Sequence, residues 1–327
     1  MRKHGDTILF AFMLLALPAL LLAGLATGGE YINPADYFRD GDALFSKSLL
    51  ELRFLRLATA FAVGGALAVS GVAYQAVLRN PLAEPFILGI SGGASLGAAV
   101  AIGAKLAASS PLAIPACSFV GASLVLLAVL SVSRGTGAEY ATHIMLSGVI
   151  AGTVCSSALM FMISVMDLET LHSVTWWMLG SLTPEGGTLL AVTLGVGIAG
   201  AALLFLFGRD ADALSMGSET AFHLGVSPRF SGLVILGTAS LLTAAAVSLS
   251  GVIGFVGLIV PHILRKLFGA GHRRLFPAAY LAGGMFLMVC DTLARTVLYP
   301  KEIPVGVVTA ALGGPFFIWL VNRRKGG

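Results

Sequence analysis

Apolar residues fill long, nearly uninterrupted stretches of this chain, and short polar clusters separate one stretch from the next. Each stretch has about 20 residues, the length that an α-helix needs to cross a hydrocarbon core of about 30 Å. Ten such stretches lie near residues 8–28, 54–74, 86–104, 112–132, 143–166, 187–207, 232–250, 252–268, 276–296 and 304–321. The pattern therefore predicts an all-α integral membrane protein with about ten transmembrane helices, forming a single transmembrane domain over residues 1–327.

The composition supports a membrane protein over a soluble enzyme. Hydrophobic residues make up 57% of the chain and charged residues 11%, whereas about 25% of the residues of a soluble domain are charged. The basic start Arg2-Lys3-His4 resembles a signal peptide. The apolar core of a signal peptide, however, is only about 7 to 15 residues long. We therefore interpret the first stretch as a retained membrane helix rather than a cleaved signal.

The basic residues predict the orientation of the helices, because short cytoplasmic loops are enriched in Lys and Arg. With both termini placed in the cytoplasm, 13 of the 20 basic residues lie inside and 7 lie outside. The seven outside are Arg39, Lys47, Arg53, Arg56, Lys105, Arg295 and Lys301. The bias predicts a multi-pass protein with both termini cytoplasmic.

Three segments between the apolar stretches have a character of their own. Glu30–Glu51 is predicted as an external loop, and Asp167–Gly187 contains the pair Trp176-Trp177. Paired tryptophans at a segment end are typical of a helix that lies in the membrane interface. The third segment, residues 208–231, mixes apolar and polar residues, which predicts a cytoplasmic loop with a short helix that could dock a soluble partner.

Small residues recur at helical spacing within several stretches. Such residues share one helix face and let two helices approach closely in lipid. The sets are Gly251, Gly254 and Gly257, then Gly89, Gly93 and Gly97, then Gly148, Gly152 and Ser156. We interpret each set as a packing face.

Catalytic, metal and nucleotide motifs are missing from the sequence. It contains neither the Gly-x-x-x-x-Gly-Lys-Ser/Thr nucleotide loop nor His-Glu-x-x-His, and its six histidines lack metal-ligand spacing. Asp291 is the one candidate for a proton-relay carboxylate. It precedes Arg295 by four residues, and such a spacing favours a local ion pair. The chain is thus predicted to have no catalytic residue, metal or cofactor of its own.

An ordered series of motifs spans the chain from about Tyr31 to Leu320. The motifs are Arg53-Phe-Leu-Arg56, Gly71-Val-Ala-Tyr-Gln75, Asn80-Pro-Leu-Ala-Glu-Pro85, Leu88-Gly-Ile-Ser-Gly-Gly93, Trp177-Met-Leu-Gly-Ser181, Met216 to Gly225, Gly251 to Arg265, Glu302 to Ala310, and Gly313-Gly-Pro-Phe316. Together they resemble the iron-siderophore, haem and cobalamin family of ABC-importer permeases.

The resemblance implies a type II ABC-importer permease in the bacterial inner membrane, with inverted repeats of helices two to five and seven to ten. Its partners would be a second permease copy, two ATPase subunits that use ATP and Mg²⁺, and a periplasmic substrate-binding protein, but no nucleic acid. The cargo would be a ferric siderophore, haem or cobalamin, moved to the cytoplasm by alternating access. A self-contained secondary transporter or channel is the alternative, and an intramembrane enzyme a more distant one.

The resemblance also implies roles for particular residues. The residues implied to couple the chain to the ATPase are Gly217, Glu219, Ala221, Leu224 and Gly225. Those implied to dock the binding protein are Arg53, Arg56 and Arg295. Those implied to narrow the cytoplasmic gate are Asn80, Leu82, Ala141 and Thr142.

Overall fold

The computed structural model describes residues 2–28, 31, 33, 44–133, 137–183 and 187–324, and helices dominate these ranges. The α-helices are α1 (Arg2–Ala26), α2 (Leu44–Val77), α3 (Ile90–Gly103), α4 (Ala113–Val132), α5 (Gly137–Val165), α6 (Leu168–Met178), α7 (Gly187–Leu206), α8 (Gly208–Ser215), α9 (Ser218–His223), α10 (Pro228–Ser250), α11 (Val256–Phe268), α12 (His272–Thr296) and α13 (Val305–Arg324). Two short 3-10 helices, Pro85–Leu88 and Leu106–Ala108, flank α3. The all-α prediction is confirmed.

Each of the ten predicted stretches overlaps one helix, namely α1 to α5, α7 and α10 to α13. Among the described residues, seven of these helices are long and apolar enough to cross a membrane: α1, α2, α4, α5, α7, α10 and α12. α3, α11 and the apolar part of α13 are shorter. The count of ten transmembrane helices therefore stays a prediction.

The predicted external loop Glu30–Glu51 is shorter than expected. Residues 29–30, 32 and 34–43 lie outside the described residues, but α2 already begins at Leu44. With 34 residues, α2 is about 51 Å long, so it extends beyond a hydrocarbon core. Lys47 and Glu51 lie on this extension, where charged side chains are tolerated. The hydropathy pattern missed this part because it is polar.

α2 lies at the centre of the bundle, and its apolar span is almost completely buried against α10, α11 and α12. Two glycine contacts permit this packing. A Cβ atom at Gly71 would lie 2.0 Å from the carbonyl oxygen of Gly257, and one at Gly64 would lie 2.2 Å from that of Gly283. Any larger residue at these positions would force the backbones apart.

The segment between α10 and α11 corrects one sequence prediction. Gly251, Gly254 and Gly257 were expected on one helix face, but residues 251–255 are not helical. Gly251 and Phe255 both have a φ of +68°, which ends α10 and delays α11 until Val256. The reason is contact with a residue distant in sequence, because a Cβ atom at Gly251 would lie 2.1 Å from the Trp177 carbonyl oxygen. Only Gly257 serves as the predicted helix-packing glycine.

The other predicted segments fold as expected. The interfacial segment contains α6, whose first turn is capped by a hydrogen bond from the Thr170 amide to Asp167 Oδ1 at 2.8 Å. Because α6 has 11 residues, it is about 17 Å long and too short to span a bilayer. Residues 208–231 contain α8, α9 and the first turn of α10.

The helix ends define two ends of the bundle. α8 contacts the first residue of α12, His272, and Asp291 lies 19 residues further along α12, about 28 Å away. Asp6 of α1 pairs with Arg274, and Lys266 lies 5.6 Å from the ring of Trp319 in α13. The start of α1 and the end of α13 therefore lie at the same end as α8. We call this the short-helix end, and the end with Asp291 the ion-pair end.

Candidate functional site

The ion-pair end is organised around the buried carboxylate of Asp291. This side chain has 0% exposure and accepts a hydrogen bond from Arg56 Nε at 2.7 Å and one from Arg295 Nε at 3.0 Å. The Arg56 guanidinium also donates from Nη1 to Glu302 Oε2 at 2.7 Å. The predicted Asp291–Arg295 pair is confirmed. The participation of Arg56 and Glu302, which are distant in sequence, was not predicted.

Two arginines of this end also bind the C-terminal end of α1. The last carbonyls of a helix have no intrahelical donor and carry partial negative charge. Arg53 Nη1 donates to the Leu25 carbonyl oxygen at 2.9 Å, and Arg295 Nη2 donates to that of Gly24 at 3.3 Å. Arg53 and Arg295 therefore cap α1, and each is only 5% exposed.

The three arginines predicted to dock the binding protein differ in their exposure. Arg53 and Arg295 are buried in contacts within the chain, because α1 and Asp291 supply acceptors that sequence spacing could not reveal. The side chain of Arg56 is 13% exposed, and it contacts the half-exposed Glu302. Of the three predicted docking residues, Arg56 is the one that the structure places next to the surface.

At the short-helix end, α8 is fixed to the membrane helices by two carboxylates. Asp210 Oδ2 accepts from the Ser231 hydroxyl at 2.5 Å, and Asp212 Oδ1 accepts from the His272 amide at 2.8 Å. Asp212 Oδ1 also lies 2.7 Å from Nδ1 of the His272 ring. Burial raises the pKa of Asp212, but the hydrogen bonds with His272 outweigh it, so that the pKa is lower than the ordinary value. Asp212 thereby caps α12 and holds α8 in place.

The predicted coupling residues occupy α9 and its flanks. Gly217, with a φ of +119°, precedes α9, and Gly225, with a φ of +80°, follows it. Glu219 lies exposed in the first turn of α9 and Leu224 lies exposed just after it. Ala221 is completely buried within the chain, so its side chain does not lie on this surface although it was among the predicted coupling residues.

Of the apolar side chains that dominate this surface, Leu224 was among the predicted coupling residues, whereas Met216 and Phe222 were not. Met216 and Leu224 are each 60% exposed, and Phe222 is 68% exposed. Together they form the surface that we call the α9 patch. Apolar residues in an otherwise polar loop were the signal available in the sequence, since exposed apolar clusters mark contact surfaces.

The predicted gate residues fall into two places. The Asn80 side chain accepts a hydrogen bond from the Leu82 amide at 3.0 Å and so shapes the turn after α2. Ala141, near the start of α5, lines a cavity of about 710 Å³ together with Leu78 and Ser218. Thr142 is exposed beside Ala141. The cavity lies between the end of α2, the start of α5 and the short helices.

Two polar residues that sequence reasoning missed connect the turn after α2 with α11. Gln75 Nε2 donates to the carbonyl oxygens of Ala83 and Gly257, both at 3.2 Å, and Gln75 Oε1 accepts from Arg265. Glu84 Oε1 accepts from the Phe255 amide at 2.6 Å. These bonds satisfy the Ala83 carbonyl and the Phe255 amide, which lie outside the helices, and the Gly257 carbonyl in the first turn of α11.

Comparisons with known proteins agree with this architecture. Residues 14–323 match the model of the FecCD transport family. The hemin transport system permease protein HmuU of Yersinia pestis is 38% identical over 279 residues, covering 84% of this chain and 83% of that protein. The vitamin B12 import system permease protein BtuC of Yersinia pseudotuberculosis is 34% identical, covering 99% and 95%.

A solved structure covers nearly the whole chain. It is described as an inward-facing conformation of a putative metal-chelate type ABC transporter. The superposition covers 97% of this chain and 99% of the other, with a TM-score of 0.84 and 29% sequence identity.

Proposed function

This chain belongs to the FecCD transport family as a permease subunit of an ABC importer for metal chelates, and we propose that it moves one such chelate from the periplasm to the cytoplasm by alternating access. It is not an enzyme, and separate ATPase subunits hydrolyse ATP. In our proposal two copies of the chain form a homodimer that serves two ATPase subunits and one binding protein. The ion-pair end faces the periplasm and the short-helix end faces the cytoplasm.

The observation that carries this proposal is the separation of two different surfaces by about the thickness of a bilayer. Asp291 and the first residue of α12 are about 28 Å apart along one helix, and a hydrocarbon core is about 30 Å thick. One end presents the apolar α9 patch, and the other presents charged side chains. Each end therefore suits a different kind of soluble partner.

The α9 patch is the proposed contact with the ATPase. The exposed Met216, Phe222 and Leu224 supply apolar area, and Glu219 adds a charge beside them. Interfaces of this kind place apolar anchors at the centre and polar groups at the rim. Because α8 is bonded to α12 through Asp212 and His272, movement of the patch is transmitted directly to a membrane helix.

Arg56 is the proposed contact with the binding protein. Its side chain is 13% exposed beside the half-exposed Glu302, and a planar guanidinium is well suited to bind carboxylates. Carboxylates on the binding protein would therefore be the complementary groups. Charged contacts at the rim of an interface mainly speed the encounter and fix its register.

The cargo belongs to the class of large metal chelates, with a ferric siderophore, haem or cobalamin as the candidates. The relatives support the class, since one is named for hemin and another for vitamin B12. Binding assays of these three chelates with the partner binding protein, followed by uptake into proteoliposomes, would identify the cargo. Binding of none of them would contradict the proposed cargo class.

Substitution of the α9 patch tests the coupling proposal. Phe222→Ala removes the most exposed aromatic ring of the patch, so we expect loss of ATPase co-purification and of ATP-driven uptake with unchanged thermal stability. Phe54→Ala, an exposed phenylalanine near the opposite end, is the matched control. If Phe222→Ala and Phe54→Ala both retain full uptake, the short helices are a simple connector.

A further inference from the structure

The two carboxylates that bind Arg56 differ sharply in their surroundings. Asp291 is 0% exposed and is shared by two arginines, whereas Glu302 is 53% exposed and is bonded to Arg56 through a single Nη1–Oε2 contact. We propose that Glu302 is an internal substitute for a carboxylate of the binding protein, and that docking displaces it from Arg56. The inference rests on the proposed docking role of Arg56 and assigns a new role to Glu302.

Exposure makes the Glu302 contact exchangeable. An ion pair that water can reach contributes little to stability, so it opens readily. The Asp291 contact cannot exchange in this way, since its opening would leave a buried charge without a partner. A carboxylate arriving from solvent therefore meets one replaceable anion and one fixed anion.

The charges of the cluster favour replacement of Glu302 by an incoming carboxylate over addition of a third carboxylate. Arg56 and Arg295 face Asp291 and Glu302, so two guanidinium groups are matched by two carboxylates. A third carboxylate joining the intact cluster would be repelled by the two already present. The same carboxylate replacing Glu302 would keep the charges matched, because an anion leaves as another enters.

The position of Glu302 connects this exchange to the adjacent helices. Glu302 lies in the connection between α12 and α13, next to Ile303, whose amide donates to the Ala294 carbonyl oxygen at 3.0 Å. Three consecutive apolar residues of the same connection are exposed, namely Val297, Leu298 and Tyr299. An apolar group beside a charged rim is the usual arrangement of a protein contact surface. Release of Glu302 would remove one of the contacts that hold the connection leading into α13.

Chemical modification of Arg56 tests the inference on the permease alone. Phenylglyoxal reacts with accessible guanidinium groups, and mass spectrometry measures the rate at Arg56. We expect Glu302→Gln to increase this rate by about two- to fivefold, the factor that corresponds to loss of an exposed ion pair, and Glu302→Ala to do the same or more. Glu169→Gln removes an exposed carboxylate from α6 and is the control. An unchanged rate in both Glu302 variants would overturn the inference.

Association with the purified binding protein at low salt gives the second readout. Glu302→Gln should tighten binding of the assembled permease–ATPase complex by about two- to fivefold, since the competing anion is gone. Arg56→Ala should weaken binding. If Arg56→Ala weakens binding but Glu302→Gln leaves it unchanged or weaker, the role of Glu302 is overturned and the docking role of Arg56 is kept. Unchanged binding in Arg56→Ala would overturn both.

Discussion

Replacement of Asp291 by asparagine should destabilise the protein severely although the two side chains have nearly the same shape. Asp291 is fully buried, and its charge is matched by Arg56 and Arg295. Asparagine removes the negative charge and leaves Arg295, which is 5% exposed, as a buried cation. Removal of one partner of a buried ion pair costs about 3–5 kcal/mol. Arg295 would also hold the end of α1 less firmly.

The measurement is thermal unfolding of purified variants in one detergent, followed by loss of monodisperse protein on size-exclusion chromatography. At about 2 °C per kcal/mol, a loss of 3 kcal/mol corresponds to a decrease of at least about 6 °C. Glu302→Gln is the matched control, because it changes the same chemical group in the same cluster at an exposed position. It should cost less than about 1 kcal/mol.

A double variant separates the buried charge from loss of packing. In Asp291→Asn with Arg295→Gln, the buried cation is absent, so much of the lost stability should return. Equal effects of Asp291→Asn and Glu302→Gln would refute the reasoning, since burial would then not decide the energy of these pairs. Additive losses in the double variant would refute the assigned partnership.

Further predictions concern packing, backbone satisfaction, pH and orientation. Gly71→Ala places a Cβ atom 2.0 Å from the Gly257 carbonyl oxygen, so thermal unfolding should show that the protein loses at least about 1–3 kcal/mol of stability. A Cβ atom at Gly195 meets nothing within 4 Å, so the control Gly195→Ala should lose no stability. Glu84→Ala leaves the Phe255 amide without its acceptor and should cost about 1–3 kcal/mol, and Glu84→Gln, which retains an acceptor, should cost clearly less. Because the folded-state pKa of Asp212 is lowered, its stabilisation of α8 is present above the ordinary pKa of 3.8 and is lost as the pH falls through the folded-state pKa. Hydrogen exchange in α8 should become faster over this pH range. Asp212→Asn should remove the pH dependence. Cysteines at positions 48 and 215 should be labelled from opposite sides of the membrane, and labelling from one side would contradict the proposed topology.

Much of the fold could be predicted because hydrophobic length is a property of local sequence. All ten apolar stretches contain or overlap a helix, and the loop at 208–231, which was predicted to contain one short helix, contains α8 and α9. The prediction failed where long-range contact overrides local pattern. The pattern of residues 251–255 predicted a glycine-rich helix, but contact with the Trp177 carbonyl and the αL conformation of Phe255 keep these residues non-helical.

The candidate sites were less predictable for the same physical reason. The i, i+4 spacing of Asp291 and Arg295 revealed their pair, but Arg56 is separated by 235 residues from Asp291 and by 246 residues from Glu302. Spacing shows which residues share a helix face and says nothing of the neighbouring helix. Ala221 lies in the predicted segment, but its burial depends on how α9 packs, which the spacing does not reveal.

α2 and α12 connect the two ends of the bundle. α2 carries Arg56 at the ion-pair end of the bundle and Gln75 towards the short-helix end. α12 carries Asp291 at the ion-pair end and His272 at the short-helix end. Contact between Gly64 and Gly283 leaves no room for the two helices to slide, since the nearest atoms are backbone. We therefore expect this pair to move as one body. Relative motion then falls to the non-helical connections at 251–255 and 297–304, where Glu84 and Glu302 each contribute a contact that would have to open.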